Sequence, residues 1–217
     1  IKLGVPAGIQ SSMFSLSNIV MQSSINSISK AAVSGCTAAA TLDSLIYQAM
    51  NALYHASLSF CGQNYGAKKR DRVLKSYCIC IGLAFCFALA FGFFLFFGGR
   101  QFLSLFTTDA DVIDAGMKRL SIMAFSYCVS AFMDCTIAAS RGLGKSVVPT
   151  VIVILGSCVF RVIWVYTVFA YFHTIMSLYL LYICSWTITA TAEILYFAHV
   201  YRHKTIAPPA AAMEEIA

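Results

Sequence analysis

Charge in this sequence is confined to short clusters, and the runs between them are apolar and long enough to cross a bilayer. A spanning helix takes about 20 residues plus a connection, so a chain of 217 residues has room for six and little else. Hydrophobic residues make up 59% of the chain and charged residues 11%, where a soluble domain carries about a quarter charged. The surplus apolar surface, with a mean hydropathy of +0.78, needs lipid as its solvent. No soluble catalytic or nucleotide-hydrolysing domain fits beside six spans.

The spans are expected near residues 4–28, 31–61, 77–97, 119–140, 147–172 and 175–201. The third is crowded with phenylalanine, Phe85 to Phe97, carries no charge, and reads as lipid-facing wall. Loops that stay in the cytoplasm keep Lys and Arg. Lys2, Lys68, Lys69, Arg70, Arg72, Lys75, Arg141, Lys145, Arg202 and Lys204 fall on one side, against Lys30, Arg100, Lys118 and Arg119 on the other. Both ends are therefore expected to be cytoplasmic, which requires an even number of spans. The connection 98–118, with Phe102, Leu103, Leu105 and Phe106 before Asp109, is expected to lie along the outer interface. The membrane-spanning unit is expected to occupy 1–204, and 205–217, with two prolines and an alanine run, to form a flexible cytoplasmic tail. The chain opens at Ile1 without an initiator methionine or a cleavable signal pattern and reads as a fragment.

Two of the apolar runs are unusually polar along one face. At about 100° per residue, Ser11, Ser15, Asn18, Gln22 and Asn26 line up on the first span, and Thr37, Thr41, Ser44, Gln48, Asn51 and His55 on the second. Any one of these groups suits a hydrogen bond across a helix interface. Five or six in line on consecutive helices suit a shared hydrated cavity instead, because amides in hydrocarbon are costly without partners. His55, near the cytoplasmic end, reads as a hydrogen-bonded interface residue.

Four ionisable residues lie inside the spans: Asp43, Asp134, Arg161 and Glu193. Each costs at least about 2.5 kcal/mol at mid-bilayer on insertion scales. Asp43 and Arg161 fall near mid-depth and are expected to pair or to join a static charge network. Asp134 has no cation on its own helix closer than Arg141 and is the leading candidate for a carboxylate that binds a cation or cycles a proton. Glu193 shares a face with Tyr182, Ser185, Thr189 and Tyr196.

Other chemistries find little support. The nine cysteines form no CxxC or Cys/His spacing of a metal site and read as small buried hydrophobes. The formal charge of +6 is explained by topology rather than by nucleic acid. Gly142-Leu143-Gly144-Lys145-Ser146 resembles the end of a phosphate-binding loop, but Ala139 stands at the first glycine position and no strand precedes it. There is no GxSxG or GxSG for an intramembrane protease. No catalytic residue, metal or organic cofactor is expected.

Gly4-Val5-Pro6-Ala7-Gly8-Ile9-Gln10 opening a span, Gly62-Gln63-Asn64-Tyr65-Gly66-Ala67-Lys68 closing the second, Leu105-Phe106-Thr107-Thr108-Asp109, and Arg141-Gly142-Leu143-Gly144-Lys145-Ser146 followed by Pro149 together resemble the multidrug and toxic compound extrusion (MATE) family. The resemblance continues through Leu155-Gly156 and Arg161. It implies an all-α integral membrane protein with two six-helix lobes related by a pseudo-two-fold axis, of which this chain would be the C-terminal one. It also implies a plasma-membrane antiporter that expels cationic or amphipathic compounds against sodium ions or protons, with an N-terminal lobe as its missing partner. Asp134 is similar to a cation-site carboxylate of one branch in the fourth span of this lobe. There, however, the acid stands further from the Arg-Gly pair and is joined by a glutamate in the first span, whereas residues 4–28 contain no acid. Gly4, Gly8, Gly62 and Gly66 would let helices approach and rock. The expected cleft lining is Ser11, Ser15, Asn18, Gln22, Thr41, Ser44, Gln48, Asn51 and His55. The rival readings are a flippase of lipid-linked precursors, which would favour a basic cavity, and a membrane scaffold or channel subunit.

Overall fold

A computed structural model describes residues 4–202; the expected tail at 205–217 lies outside them. Six long helices follow one another: α1 (Gly4–Asn26), α2 (Lys30–Gly66), α3 (Arg70–Ser104), α4 (Ala110–Gly142), α5 (Val147–Phe172) and α6 (Ile175–Arg202). Four of them, α3 to α6, are long and apolar enough to cross a membrane. The other two, α1 and α2, carry the polar stripes and fall short of that apolarity.

The connections are tight and chemically specified. Ser29 caps α2, its Oγ accepting from Ala32 N–H at 3.0 Å, and Asp109 caps α4 by accepting from Asp111 N–H at 2.9 Å. Such caps satisfy first-turn amides that have no helical acceptor. The turn between α4 and α5 places Gly144 at φ +76°, a left-handed conformation that glycine adopts without Cβ strain. Thr174 and Ser177 cap each other's amides at the start of α6.

Helices α2, α4 and α6 run parallel, and α4 is the central one, packed against α2, α3 and α6. Small residues permit the close α2–α4 approach: a Cβ on Gly35 would strike the backbone of Val112 and Gly116, and one on Gly142 would lie 2.8 Å from the Leu58 carbonyl. Gly92 of α3 meets the Ala124 carbonyl in the same way. Hydrogen bonds then fix the register. Ser57 Oγ donates to the Cys135 carbonyl at 3.1 Å, Tyr77 and Thr136 hydroxyls meet at 2.9 Å, and Ser157 and Thr189 hydroxyls at 3.0 Å. Of the glycines expected to allow close approach, only Gly62 stands against another helix, at Gly142; Gly4, Gly8 and Gly66 face open space.

Three sequence expectations are corrected here. The helices outrun the apolar stretches that mark them: α3 spans 35 residues, about 52 Å at 1.5 Å per residue against a hydrocarbon core of about 30 Å. The segment 98–118 is consequently no interfacial helix. Its first part completes α3, its last part begins α4, and only 105–109 connects them. Gly99 lies within α3, where Leu120 and Met117 of α4 pack close to it. Arg119, expected to open the fourth span and counted with the outer charges, sits nine residues inside α4.

Helix α5 departs from regular geometry. It widens to π-helix at Ile154–Val159 and again at Val165–Phe169, leaving Phe160–Trp164 as an α segment between them. At the first widening Gly156 faces Thr189 of α6, whose Oγ1 would be 2.6 Å from an added Cβ. The exposed side of the bundle is apolar where α3 and α5 form it, with Phe93, Phe94, Phe97, Ile163 and Tyr166 all exposed.

Candidate functional site

Helices α1, α2, α4, α5 and α6 surround a cavity of about 680 Å³, while α3 contributes nothing to it. Part of each polar stripe faces it. The hydroxyls of Ser11, Ser15, Thr37 and Thr41 donate back to carbonyls four residues earlier, and Ser44 to one three residues earlier. They are satisfied within their own helices and join no neighbouring helix. With Asn18, Gln22, Gln48 and His55 they leave a polar face of each helix exposed on the lobe.

Of the expected lining residues, Ser11, Asn18, Gln22, Ser44, Asn51 and His55 border the cavity, and Ser15, Thr41 and Gln48 do not. Their helices turn them past its rim. His55 borders it with its ring edge-on to Tyr54, centroids 5.3 Å apart. The aromatic part of the lining was not foreseen: Phe14, Tyr47, Tyr127, Tyr179, Tyr182 and Trp186 all border the space. Their signal was present as Tyr47 and Tyr54 opposite the α2 stripe and the Tyr179, Tyr182, Trp186 spacing of α6.

The charged groups divide into three settings. Asp43 pairs not with Arg161 but with Arg119, which donates from Nε at 3.0 Å and from Nη2 at 2.7 Å to the same carboxylate oxygen. Arg119 Nη1 also donates to the Cys36 carbonyl at 2.7 Å and to Tyr179 Oη at 3.2 Å. This network joins α2, α4 and α6 at one edge of the cavity. It corrects the expected Asp43–Arg161 pair, for which only depth in the membrane spoke.

Arg141 forms a second junction at the end of α4. Its Nη1 donates to Tyr54 Oη at 2.7 Å, and its Nη2 to Gln10 Oε1 at 2.6 Å and to Thr150 Oγ1 at 3.2 Å. One guanidinium thus gathers α1, α2, α4 and α5 at the border of the cavity. Glu193 stays outside the cavity, fully buried, and neither carboxylate oxygen has a hydrogen-bond partner among the described residues.

The third setting comprises Asp134 and Arg161, which border the cavity without an ion-pair partner among the described residues. Asp134 accepts from Ser130 Oγ at 2.7 Å. Arg161 is 3% exposed and lies 4.4 Å above the Tyr182 ring and 5.4 Å from that of Phe14. No cluster of His, Cys, Asp and Glu suited to a metal ion occurs among the described residues.

The comparisons with known proteins agree on what architecture this is. The MatE family model matches residues 6–167. Two proteins of Bacillus subtilis strain 168, the probable multidrug resistance proteins YpnP and YoeA, are 34% identical over 127 residues and 27% identical over 152. Those alignments cover 58% and 70% of this chain but 28% and 33% of the relatives. The outward-facing structure of a multidrug resistance MATE family transporter of the MOP superfamily superposes with a TM-score of 0.84 at 19% identity, over 92% of this chain and 45% of that one. A MATE structure in complex with MaL6 gives a TM-score of 0.84 at 18% identity and covers 46% of its chain. The chain therefore spans less than half of the proteins it matches, and its six helices form one lobe of the MATE fold: it belongs to the multidrug and toxic compound extrusion family.

Proposed function

We propose that this chain is the C-terminal lobe of a secondary antiporter that exports amphipathic small molecules in exchange for sodium ions or protons. The cavity forms one wall of a central cleft, completed by an N-terminal lobe, and the two lobes rock about it in alternating access. Family membership supports transport, and the mixture of aromatic rings, methionines and amides on the wall suits ligands with a large apolar body and a few polar groups. The protein would reside in the plasma membrane with both ends of this segment cytoplasmic. Even with Arg119 and Arg141 withdrawn from the loops, that side keeps Lys68, Lys69, Arg70, Arg72, Lys75 and Lys145 against Lys30, Arg100 and Lys118.

The observation that carries the coupling role is the position of Asp134: on the central helix, at the cavity, with a hydroxyl donor and no cation paired to it among the described residues. A carboxylate in that setting can exchange a proton or hold a cation, whereas Asp43 is already neutralised by Arg119. The test is Asp134→Asn in the full-length protein. Efflux of an amphipathic dye from proteoliposomes should lose its dependence on the ion gradient. Unchanged flux and unchanged ion dependence would remove Asp134 from the coupling step.

A flippase for lipid-linked precursors gains support from one observation. Three arginines, Arg119, Arg141 and Arg161, line the cavity against two acids, Asp43 and Asp134. With Glu193 outside the cavity and Arg119 and Arg141 joining Arg161 at it, the wall carries the basic balance that a flippase would favour. Ion-gradient-driven dye flux against gradient-independent lipid scrambling separates the two readings.

A further inference from the structure

We propose that Arg161 is an anion-recognition site, and that the molecules this lobe accepts carry a carboxylate, sulfonate or phosphate on an aromatic or apolar body. The inference rests on the cavity being a ligand cleft, as argued above, and concerns the sign of the ligand's charge.

The charges on the wall do not cancel evenly. Asp43 and Arg119 neutralise each other at 2.7 Å. Arg141 is held by three uncharged oxygens, from Tyr54, Gln10 and Thr150. Asp134 is engaged by Ser130. Arg161 alone among these arginines has neither an acid nor a hydrogen-bond acceptor on its guanidinium among the described residues, and its Nε is buried without a partner. At 3% exposure it is more than nine-tenths buried, yet it borders the cavity. A guanidinium is always charged and carries five donors in a plane, and a buried cation without acceptors is costly until an anion or water supplies them. Carboxylate, sulfonate and phosphate match that fork with two parallel hydrogen bonds.

The surroundings add the second half of a ligand's description. Tyr182 lies beneath the guanidinium, Phe14 approaches from α1, and Trp186 meets the edge of Tyr182 with ring centroids 5.2 Å apart. These rings hold the cation in place and offer apolar faces beside it. The backbone that presents Arg161 is itself specialised: the α segment Phe160–Trp164 is bracketed by the two π-helical widenings. Inserted π turns recur at functional sites. Here they flank Arg161, and in the first of them Gly156 lies against Thr189 of α6.

The test uses purified full-length protein and three probes of one ring system: 2-naphthalenesulfonate, 2-naphthyltrimethylammonium and uncharged 2-naphthalenemethanol, with binding measured by calorimetry. Wild-type protein should take the sulfonate at least about tenfold more tightly than the alcohol. Arg161→Gln should weaken sulfonate binding by roughly 10- to 100-fold, leave ammonium binding within about twofold, and Arg161→Lys should retain an intermediate sulfonate affinity. Equal wild-type affinity for sulfonate and alcohol overturns the proposal without relying on a variant, as does an Arg161→Gln protein that binds the sulfonate undiminished. Repeating the titration in nanodiscs with and without phosphatidylglycerol distinguishes the source of the anion: competition by that lipid assigns the site to a lipid phosphate, and its absence to a soluble anion. Ion-coupled dye flux is followed in parallel. Intact flux with no Arg161-dependent anion binding removes the anion site and leaves the transporter reading; Arg161-dependent anion binding without coupled flux does the reverse.

Discussion

Removing Arg119 should be among the most damaging single changes in the lobe, and the structure sets its size. The Asp43 side chain is 8% exposed and that of Arg119 14%, so neither charge has water to fall back on. Arg119→Leu deletes two hydrogen bonds to one Asp43 oxygen and those to the Cys36 carbonyl and Tyr179. The larger penalty is the carboxylate left behind: breaking one side of a buried pair costs about 3–5 kcal/mol, a factor of roughly 160 to 4,600 in the folded-to-unfolded ratio. Asp43→Asn in the same background removes the stranded charge and should recover about half or more of the loss. The pair itself, with a buried charge on each side, is expected to add little over two neutral partners. The assay is reversible unfolding in bicelles of the four proteins of a double-mutant cycle. A loss under about 1 kcal/mol for Arg119→Leu, or a double variant as unstable as the sum of the singles, would refute the reasoning.

Three further outcomes follow from the packing. Gly35→Leu, whose side chain would meet the backbone of Val112 and Gly116, should abolish stable folding by size-exclusion chromatography, while Gly66→Ala, facing open space, should elute as wild type. Tyr77→Phe removes the hydroxyl contact to Thr136 but keeps the ring on Phe197 at 4.3 Å; its cost should be about 0.6 kcal/mol, the usual scale of a hydrogen bond between membrane helices, measured by unfolding. Glu193→Gln replaces a fully buried carboxylate without hydrogen-bond partners by a neutral amide, and should raise stability or leave it within about 1 kcal/mol; a loss above about 2 kcal/mol would point to an ionic role through Arg141.

How much of this was legible depends on which solvent each residue reports. Lipid punishes charge, so the number and order of helices could be read from the gaps between charge clusters, and the polar stripes of α1 and α2 stood out as faces lipid does not tolerate. Helix ends were less legible, because α3 and α4 continue through Arg70, Lys75, Arg100 and Lys118 into water, where charge no longer marks a boundary. The same habit of reading charge as an end put Arg119 at the very start of its span rather than nine residues inside the helix. The π widenings of α5 left no signal at all in residue periodicity, since its exposed apolar residues satisfy lipid on any face.

The partner of Asp43 shows where a single chain's pattern stops being informative. Counted from one end of the bundle, Asp43 is 13 residues into α2 (43 minus 30), Arg161 is 11 from the end of α5 (172 minus 161), and Arg119 is 9 into α4 (119 minus 110). At 1.5 Å per residue these depths are about 20, 17 and 14 Å, so depth admits both arginines and favours the wrong one. The choice is made sideways: α2 and α4 approach at Gly35 and Gly116, close enough that backbone meets backbone, whereas α5 has no close packing on α2. That lateral choice decides the chemistry of the cleft. Because Gly35 and Gly116 bring Arg119 to Asp43, Arg161 is left at the cavity without an ion-pair partner among the described residues. A Gly116→Val change that pries α2 from α4 should weaken the Asp43–Arg119 network and, by freeing Asp43 to compete for Arg161, lower sulfonate binding without any substitution at Arg161.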